Sequence, residues 1–222
     1  MPKIALITAN LNEYERICFP VEQILNEGFS GDFYYYDDDN FPPRIKAMTP
    51  RLQSRILKMF GWQMHPDYDL YIWMDSSITF RHNRAVQAIW DLIEHHELLL
   101  YLHPHRKTVE EEYLYLRKAM EDGSKYFTHR YRYELLEDQM KEIGSNKSFI
   151  DDKLYMSTVV VYRATEKIKK MMKEWWYHTS RYHIIDQLQL PYVLSEIGCD
   201  VKELNSDAIN DHFITTRIGL KF

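Results

Sequence analysis

In the run Tyr68-Asp69-Leu70-Tyr71-Ile72-Trp73-Met74-Asp75-Ser76-Ser77-Ile78-Thr79-Phe80, an apolar, aromatic stretch stops at a carboxylate and two hydroxyls, then resumes. A strand of that composition is buried on both faces. A charge at its end is costly unless something pairs with it. Two readings follow: the strand delivers Asp75 to the carboxyl edge of a sheet, where open α/β folds bind ligands, or Asp75 opens a turn. A carboxylate so delivered can hold Mn²⁺ or Mg²⁺, which take oxygen ligands. Such an ion neutralises the charge that develops on a departing diphosphate. The usual spacing for that chemistry is Asp-x-Asp. Here Ser77 stands in the second position, and a hydroxyl is a weaker ligand than a carboxylate.

Other residues could share the work. Arg55 and Lys58 are three apart on a helix and therefore neighbours; they are either a solvated face or a cationic pair aimed at phosphate. Asp186-Gln187 opens a helix, where Asp is a natural N-cap. His103, His105 and Arg106 end a strand; with no third ligand at a telling spacing, a zinc site is disfavoured. Arg106 instead reads as an ion-pair partner of Glu111 or Glu112, shaping a pocket. His212 lies in the polar stretch Ser206 to Phe222, of which Ser206 to Arg217 could order over a bound ligand. Asp37-Asp38-Asp39 reads as a solvated loop, and Trp175-Trp176 as packing.

The elements that must carry these residues alternate. Strands are expected at Lys3–Ala9, Asp32–Tyr36, from Tyr68 up to Asp75, at Glu97–Leu102, Leu154–Tyr162 and near Val201. Helices are expected at Pro20–Gly28, from Pro50 onward behind the cap Thr49, at Arg84–His95, Thr108–Met120, His129–Ile143, Thr165–Thr179 and Asp186–Ile197. On the helix after Pro50, the apolar face is read as Leu52, Ile56, Met59 and Phe60. This order predicts an α/β fold with a mainly parallel central sheet flanked by helices. The 222 residues suit one domain, or one domain of a longer chain.

Several classes are excluded. A net charge of −5 argues against non-specific nucleic-acid binding, so no nucleic-acid partner is expected. No run approaches the ~18 apolar residues of a membrane span. Met1-Pro2-Lys3 leads straight into a strand, so no signal peptide is expected. Two cysteines, Cys18 and Cys199, cannot build a disulfide framework; a cytoplasmic protein is expected. There is neither a G-x-G-x-x-G after the first strand nor a P-loop.

The block Pro50-Arg51-Leu52-Gln53-Ser54-Arg55-Ile56-Leu57-Lys58, then Pro66-x-Tyr68-Asp69, then Ile72-Trp73-x-Asp75-x-Ser77-Ile78 resembles a glycosyltransferase-like family long filed as a domain of unknown function. Its members include plant proteins linked to cell-wall and mucilage polysaccharides, with bacterial and algal-virus relatives. His103-Pro104-x-Arg106 with Glu110-Glu111-Glu112, and Asp186-Gln187-Leu188 leading to Leu190-Pro191-Tyr192-Val193-Leu194, fit the same pattern. The resemblance spans roughly residues 45 to 195.

It implies a GT-A-like single domain over residues 1–222 that binds a nucleoside-diphosphate sugar, in the first place a UDP-sugar, and transfers the sugar to a glycan or other hydroxyl acceptor. Thr8, Ala9 and Asn10 would hold base and ribose. Arg55 and Lys58 would lie near the diphosphate. Asp75, Ser76 and Ser77 would form the donor motif, with Mn²⁺ or Mg²⁺ on Asp75, Ser77 and His212. Asp186 and Gln187 would face the anomeric carbon, and the acceptor would enter past His103, Arg106 and Glu111. Two rival readings remain: a phosphohydrolase using Asp75 as nucleophile with Thr79 near it, and a binding module without turnover.

Overall fold

A computed structural model describes residues 1–13, 21–44 and 46–215. Its centre is a six-stranded sheet built from β1 (Lys3–Ala9), β2 (Ser30–Tyr36), β3 (Leu70–Met74), β5 (Leu98–Leu102), β6 (Tyr155–Tyr162) and β7 (Val201–Leu204), in the order β2-β1-β3-β6-β5-β7. β1 pairs in parallel with β2 and β3, and β5 in parallel with β7, while β6 runs antiparallel between β3 and β5. Five strands therefore point one way and β6 the other. The mainly parallel α/β expectation holds. The central strands β3 and β5 are almost wholly apolar, as strands covered on both faces must be.

Two apolar layers cover the sheet. One carries α1 (Pro50–Met64), α6 (Glu166–Arg181) and α7 (Asp186–Ile197); the other carries α2 (Ala85–Ile93). α1 lies directly on β1 because Gly61 has no side chain: a Cβ there would stand 2.5 Å from Ile7 Cδ1. α3 (Val109–Glu121), α4 (Lys125–Tyr131) and α5 (Leu136–Ser145) follow β5.

The run Tyr68–Phe80 holds two strands, parted where the sequence stops at Asp75. β3 ends at Met74, the chain turns at Asp75 (Ile78 N–H to Asp75 C=O, 3.1 Å), and β4 (Ile78–Phe80) leaves the sheet. β4 pairs antiparallel with β8 (Phe213–Thr215), which follows the short α8 (Ile209–His212). The polar C-terminal stretch is thus anchored as far as Thr215, with Phe213 buried against Phe80 and Tyr101. Thr216 and Arg217 lie outside the described residues.

The helix expected over Pro20–Gly28 is absent from its described part: residues 21–26 have no regular structure, and Pro20, like Cys18, is outside the description. The reason is competition for its polar groups. Gln23 accepts from Val86 N–H (3.0 Å) and donates to His82 C=O (3.1 Å), while Asn26 N–H donates to Gln87 Oε1 (3.0 Å). The segment caps α2 in place of coiling on itself. The expected His129–Ile143 helix is likewise two pieces, α4 and α5.

Candidate active site

A cavity of about 520 Å³ opens at the carboxyl ends of β1 and β3. Ala9, Asn10 and Leu11 bound it after β1, and Trp73, Asp75 and Ser76 after β3. Ser157 and Thr158 enter from β6, which runs the other way and so brings its beginning to this edge. The first turns of α1 supply Arg51, Ser54 and Arg55, and the start of α7 supplies Asp186 and Gln187. Arg106, Glu112 and Tyr115 close the side facing α3, and Tyr126, Arg130 and Tyr131 come from α4.

Lys58 organises the floor. Its ammonium is fully buried, donates to Asp186 Oδ2 at 2.7 Å and Ser157 C=O at 2.5 Å, and stands 3.9 Å from Asp75 Oδ1. The indoles of Trp73 and Trp175 flank it, each with its ring centre 5.6 Å away. Burial pushes the Lys58 pKa down more than Asp186 pushes it up. Asp186 is bound on both oxygens: Oδ1 accepts from Ser157 Oγ at 2.7 Å, and Oδ2 meets Lys58 and, at 2.9 Å, Arg55 Nε. Burial raises its pKa, but Arg55 and Lys58 beside it outweigh that and hold the carboxyl below its ordinary range. Trp175 donates its indole N–H to the Asp186 carbonyl at 2.7 Å, fixing the start of α7.

Asp186 is therefore not an N-cap. Ile185 occupies that position, and the Asp186 side chain turns to the cations. Nor is it an unencumbered base, since both oxygens are engaged; it positions Lys58 and Arg55. Gln187 differs. Its amide Nε2 donates to Glu112 Oε1 at 2.7 Å, and Glu112 Oε2 pairs with Arg106 Nε. Asp75 accepts from the Trp73 indole N–H at 3.0 Å, and its side chain keeps about 29% of its exposure.

Of the residues expected at one site, the cavity brings together Ala9, Asn10, Arg55, Asp75, Ser76, Arg106, Asp186 and Gln187. Others fall elsewhere. Thr8 is 3% exposed and off the cavity, because alternate residues of a strand face opposite ways. Lys58 lies beneath the wall and not on it. Glu111 faces solvent at the start of α3: its N–H donates to the cap Thr108 Oγ1 at 3.0 Å, and its Oε2 accepts from Lys107 N–H, one residue before the cap, at 2.6 Å. The ion-pair partner of Arg106 is Glu112. His103 accepts at Nδ1 from the N–H groups of His105 and Arg106, so it shapes the Arg106 loop without lining the cavity. Thr79 is also off the cavity. Asp37 accepts from the N–H groups of Asp39 and Asn40, as a turn requires, whereas Asp38 accepts from Asn12 N–H at 2.9 and 3.0 Å and so ties this loop to the one after β1.

The metal set Asp75, Ser77 and His212 is not assembled. Ser77 is 3% exposed and off the cavity. His212 sits level with Arg81, whose N–H donates to its carbonyl at 2.8 Å, at the end of β4 remote from Asp75. Among the described residues, no group of three His, Cys, Asp or Glu is placed to share a metal ion. The cavity's other carboxylates, Asp186 and Glu112, are already engaged by Lys58, Arg55 and Arg106. Among the described residues Asp75 is the cavity carboxylate that keeps exposure; Mn²⁺ or Mg²⁺ held there would take its other oxygen ligands from a bound diphosphate and water.

Two cavity residues, Arg51 and Arg130, escaped the sequence reading although it carried a signal for each, and Glu112 stood in it only as an alternative to Glu111. Val109, Glu112 and Leu116 are the buried residues of α3, so Glu112 falls in its apolar stripe. Arg51 stands one turn before Arg55, and Arg130 one turn after Tyr126.

The burial that builds this region sets a pH dependence. Burial, then Arg51, takes the His183 pKa from 6.5 to about 3; burial, then Arg106 and His105, takes that of His103 to about 4. Between those values and 6.5 the unfolded chain binds protons that the folded one refuses, so stability rises with pH across that window and falls on acidification. His65, His178 and His212, also lowered chiefly by burial, act with the same sign. The urea midpoint is expected to drop as pH falls from 6.5 towards 4, and less steeply in His183→Asn. An identical slope in the variant would contradict this.

No protein-family model matches the chain, and no curated protein matches it in sequence. In structure it is similar to a glycosyltransferase involved in the glycosylation of the major capsid of PBCV-1, at a TM-score of 0.50 and 10% identity, over 96% of this chain and 92% of that one. The fold is glycosyltransferase-like. The chain is also similar to the apo structure of the bifunctional glycosyltransferase WbbM, at a TM-score of 0.45 and 8% identity, over 91% of this chain and 38% of that one. No helix among the described residues is long and apolar enough to cross a membrane.

Proposed function

We propose that this chain is a GT-A-type glycosyltransferase. It moves a sugar from a nucleoside-diphosphate sugar, in the first place a UDP-sugar, to a glycan or other hydroxyl acceptor. The observation that carries the reading is the cavity at the carboxyl ends of β1 and β3. It is cationic, partly aromatic, and holds Asp75 and Gln187 together. Ligands of open α/β sheets bind at this edge, and arginines suit phosphate.

Base and ribose rest against Ala9, Asn10 and Leu11. Asp75, fixed by the Trp73 indole, accepts a hydroxyl of the ribose or the donor sugar. The diphosphate lies towards the arginines. Gln187, held at its amide nitrogen by Glu112, offers its carbonyl oxygen to the anomeric carbon as positive charge develops there. Asp186 keeps Arg55 and Lys58 in place behind it. The acceptor enters beside Arg106 and Tyr115, where an aromatic face suits a sugar ring.

The test is incubation with a panel of UDP-, GDP-, ADP- and dTDP-sugars, reading release of the nucleoside diphosphate. Release from one sugar nucleotide, lost in Asp75→Ala with the circular-dichroism melt intact, is expected. Release of inorganic phosphate from simple phosphomonoesters, with sugar nucleotides untouched, would favour the phosphohydrolase reading instead.

A further inference from the structure

We propose that Asp38 is a positioning residue for the donor: it holds the loop after β1 in the form that receives base and ribose. The inference rests on the sugar-nucleotide reading and adds a residue that lies off the cavity wall. Ala9, Asn10 and Leu11 bound the cavity, so their backbone sets the shape of its nucleotide end. A loop already in its binding geometry spares the ligand the cost of ordering it. Two contacts from the end of β2 and the turn after it hold this loop. Asn10 N–H donates to Tyr36 C=O at 2.8 Å. Two residues on, Asn12 N–H meets both carboxylate oxygens of Asp38, at 2.9 and 3.0 Å. Leu11, buried between them, is thus fixed on either side.

Asn12 has φ 61 and ψ 35, in the left-handed region that only Gly, Asn and Asp enter routinely. Such a conformation persists where its surroundings over-determine it. Here it comes with the Asn12 N–H seated on the Asp38 carboxylate. A carboxylate on a backbone N–H makes a charge-assisted bond, stronger than a neutral one. Asp38 in turn stands on a braced turn. Asp37 Oδ1 accepts from Asp39 and Asn40 N–H at 3.0 and 3.2 Å, and Asn40 Oδ1 accepts from Asp37 N–H at 3.0 Å. Asn40 Nδ2 donates to Tyr35 C=O at 2.9 Å, and Phe41 N–H donates to Asp37 C=O at 2.9 Å. The acidic run after β2 therefore braces the loop after β1. Neither Asp38 nor Asn12 lines the cavity, so the effect on the donor passes through the backbone of Ala9 to Leu11.

Steady-state kinetics with the sugar nucleotide that wild type cleaves test this on Asp38→Ala, Asp38→Asn and Asn12→Gly, with thermal melts to confirm folding. Asp38→Ala is expected to raise the donor KM about tenfold and to leave kcat within about twofold, because the loop is assigned to the nucleotide and not to the anomeric carbon. Asp38→Asn keeps an oxygen that can accept the Asn12 N–H, and should return KM to within about threefold of wild type. Asn12→Gly keeps the N–H and suits the left-handed backbone, so its KM should also stay within about threefold. A folded Asp38→Ala enzyme with the wild-type KM would overturn the proposal. So would an Asp38→Asn enzyme as impaired as Asp38→Ala, which would make the carboxylate's charge a direct donor contact. An equally impaired Asn12→Gly would do the same for the Asn12 side chain. Each of these results leaves the glycosyltransferase reading standing. If wild type releases a nucleoside diphosphate from no sugar nucleotide, that reading fails and the role of Asp38 falls with it.

Discussion

Replacing Asp186 with alanine is expected to cost about 3–5 kcal/mol of folding stability, because it strands a buried ammonium. Lys58 is fully buried, and the Asp186 carboxylate lies 2.7 Å from it and 2.9 Å from Arg55. After the substitution, Ser157 C=O and the more distant Asp75 remain near the ammonium. The converse follows from the same physics: a buried ion pair replaced as a unit by apolar groups of similar size is often neutral or stabilising. The double variant Lys58→Met with Asp186→Leu should therefore recover most of the loss in urea unfolding. It should not recover turnover, since Arg55 loses its anchor. A single variant no less stable than the double one would contradict this description of the floor.

Gln187→Ala is expected to lower turnover about 10²- to 10³-fold, the range for removing one dipole aimed at developing charge. Nucleoside-diphosphate affinity should stay within about twofold, because Gln187 is assigned to the sugar and not to the diphosphate. Stability should fall by only about 1 kcal/mol. Glu112 loses one hydrogen bond but keeps Arg106. Glu112→Gln gives a graded control: it weakens the hold on Arg106 and Gln187 without deleting either, and should lie between wild type and Gln187→Ala. A Gln187→Ala enzyme with unchanged kcat would remove Gln187 from the chemistry.

The sequence disclosed the sheet because apolar β-forming runs such as KIALITA and LYIWM are short and bounded by polar turns, a pattern with one economical fold. It disclosed Asp75 for the same reason, as a charge stopping a buried strand. What it hid were contacts decided by tertiary packing. Lysine normally reads as exposed, so the buried face of α1 was misread: it carries Gln53, Leu57, Lys58, Met59 and Gly61, and Lys58 joins it only because Asp186, distant in sequence, supplies a counter-charge. The choice of Glu112 over Glu111 turns on one helical position, with Glu111 drawn off to the Lys107 N–H at the start of α3. That β4 leaves the sheet to pair with β8 depends on a strand distant in sequence, which no local pattern announces.

The most direct test of the central claim is a crystal structure of the chain grown with UDP, or with the nucleoside diphosphate released in the donor-panel assay. The expected map places the nucleotide in the cavity lined by Asp75, Arg55 and Gln187, with the base against Ala9 to Leu11. A nucleotide bound anywhere else on the molecule, with this cavity holding only solvent, would contradict the account.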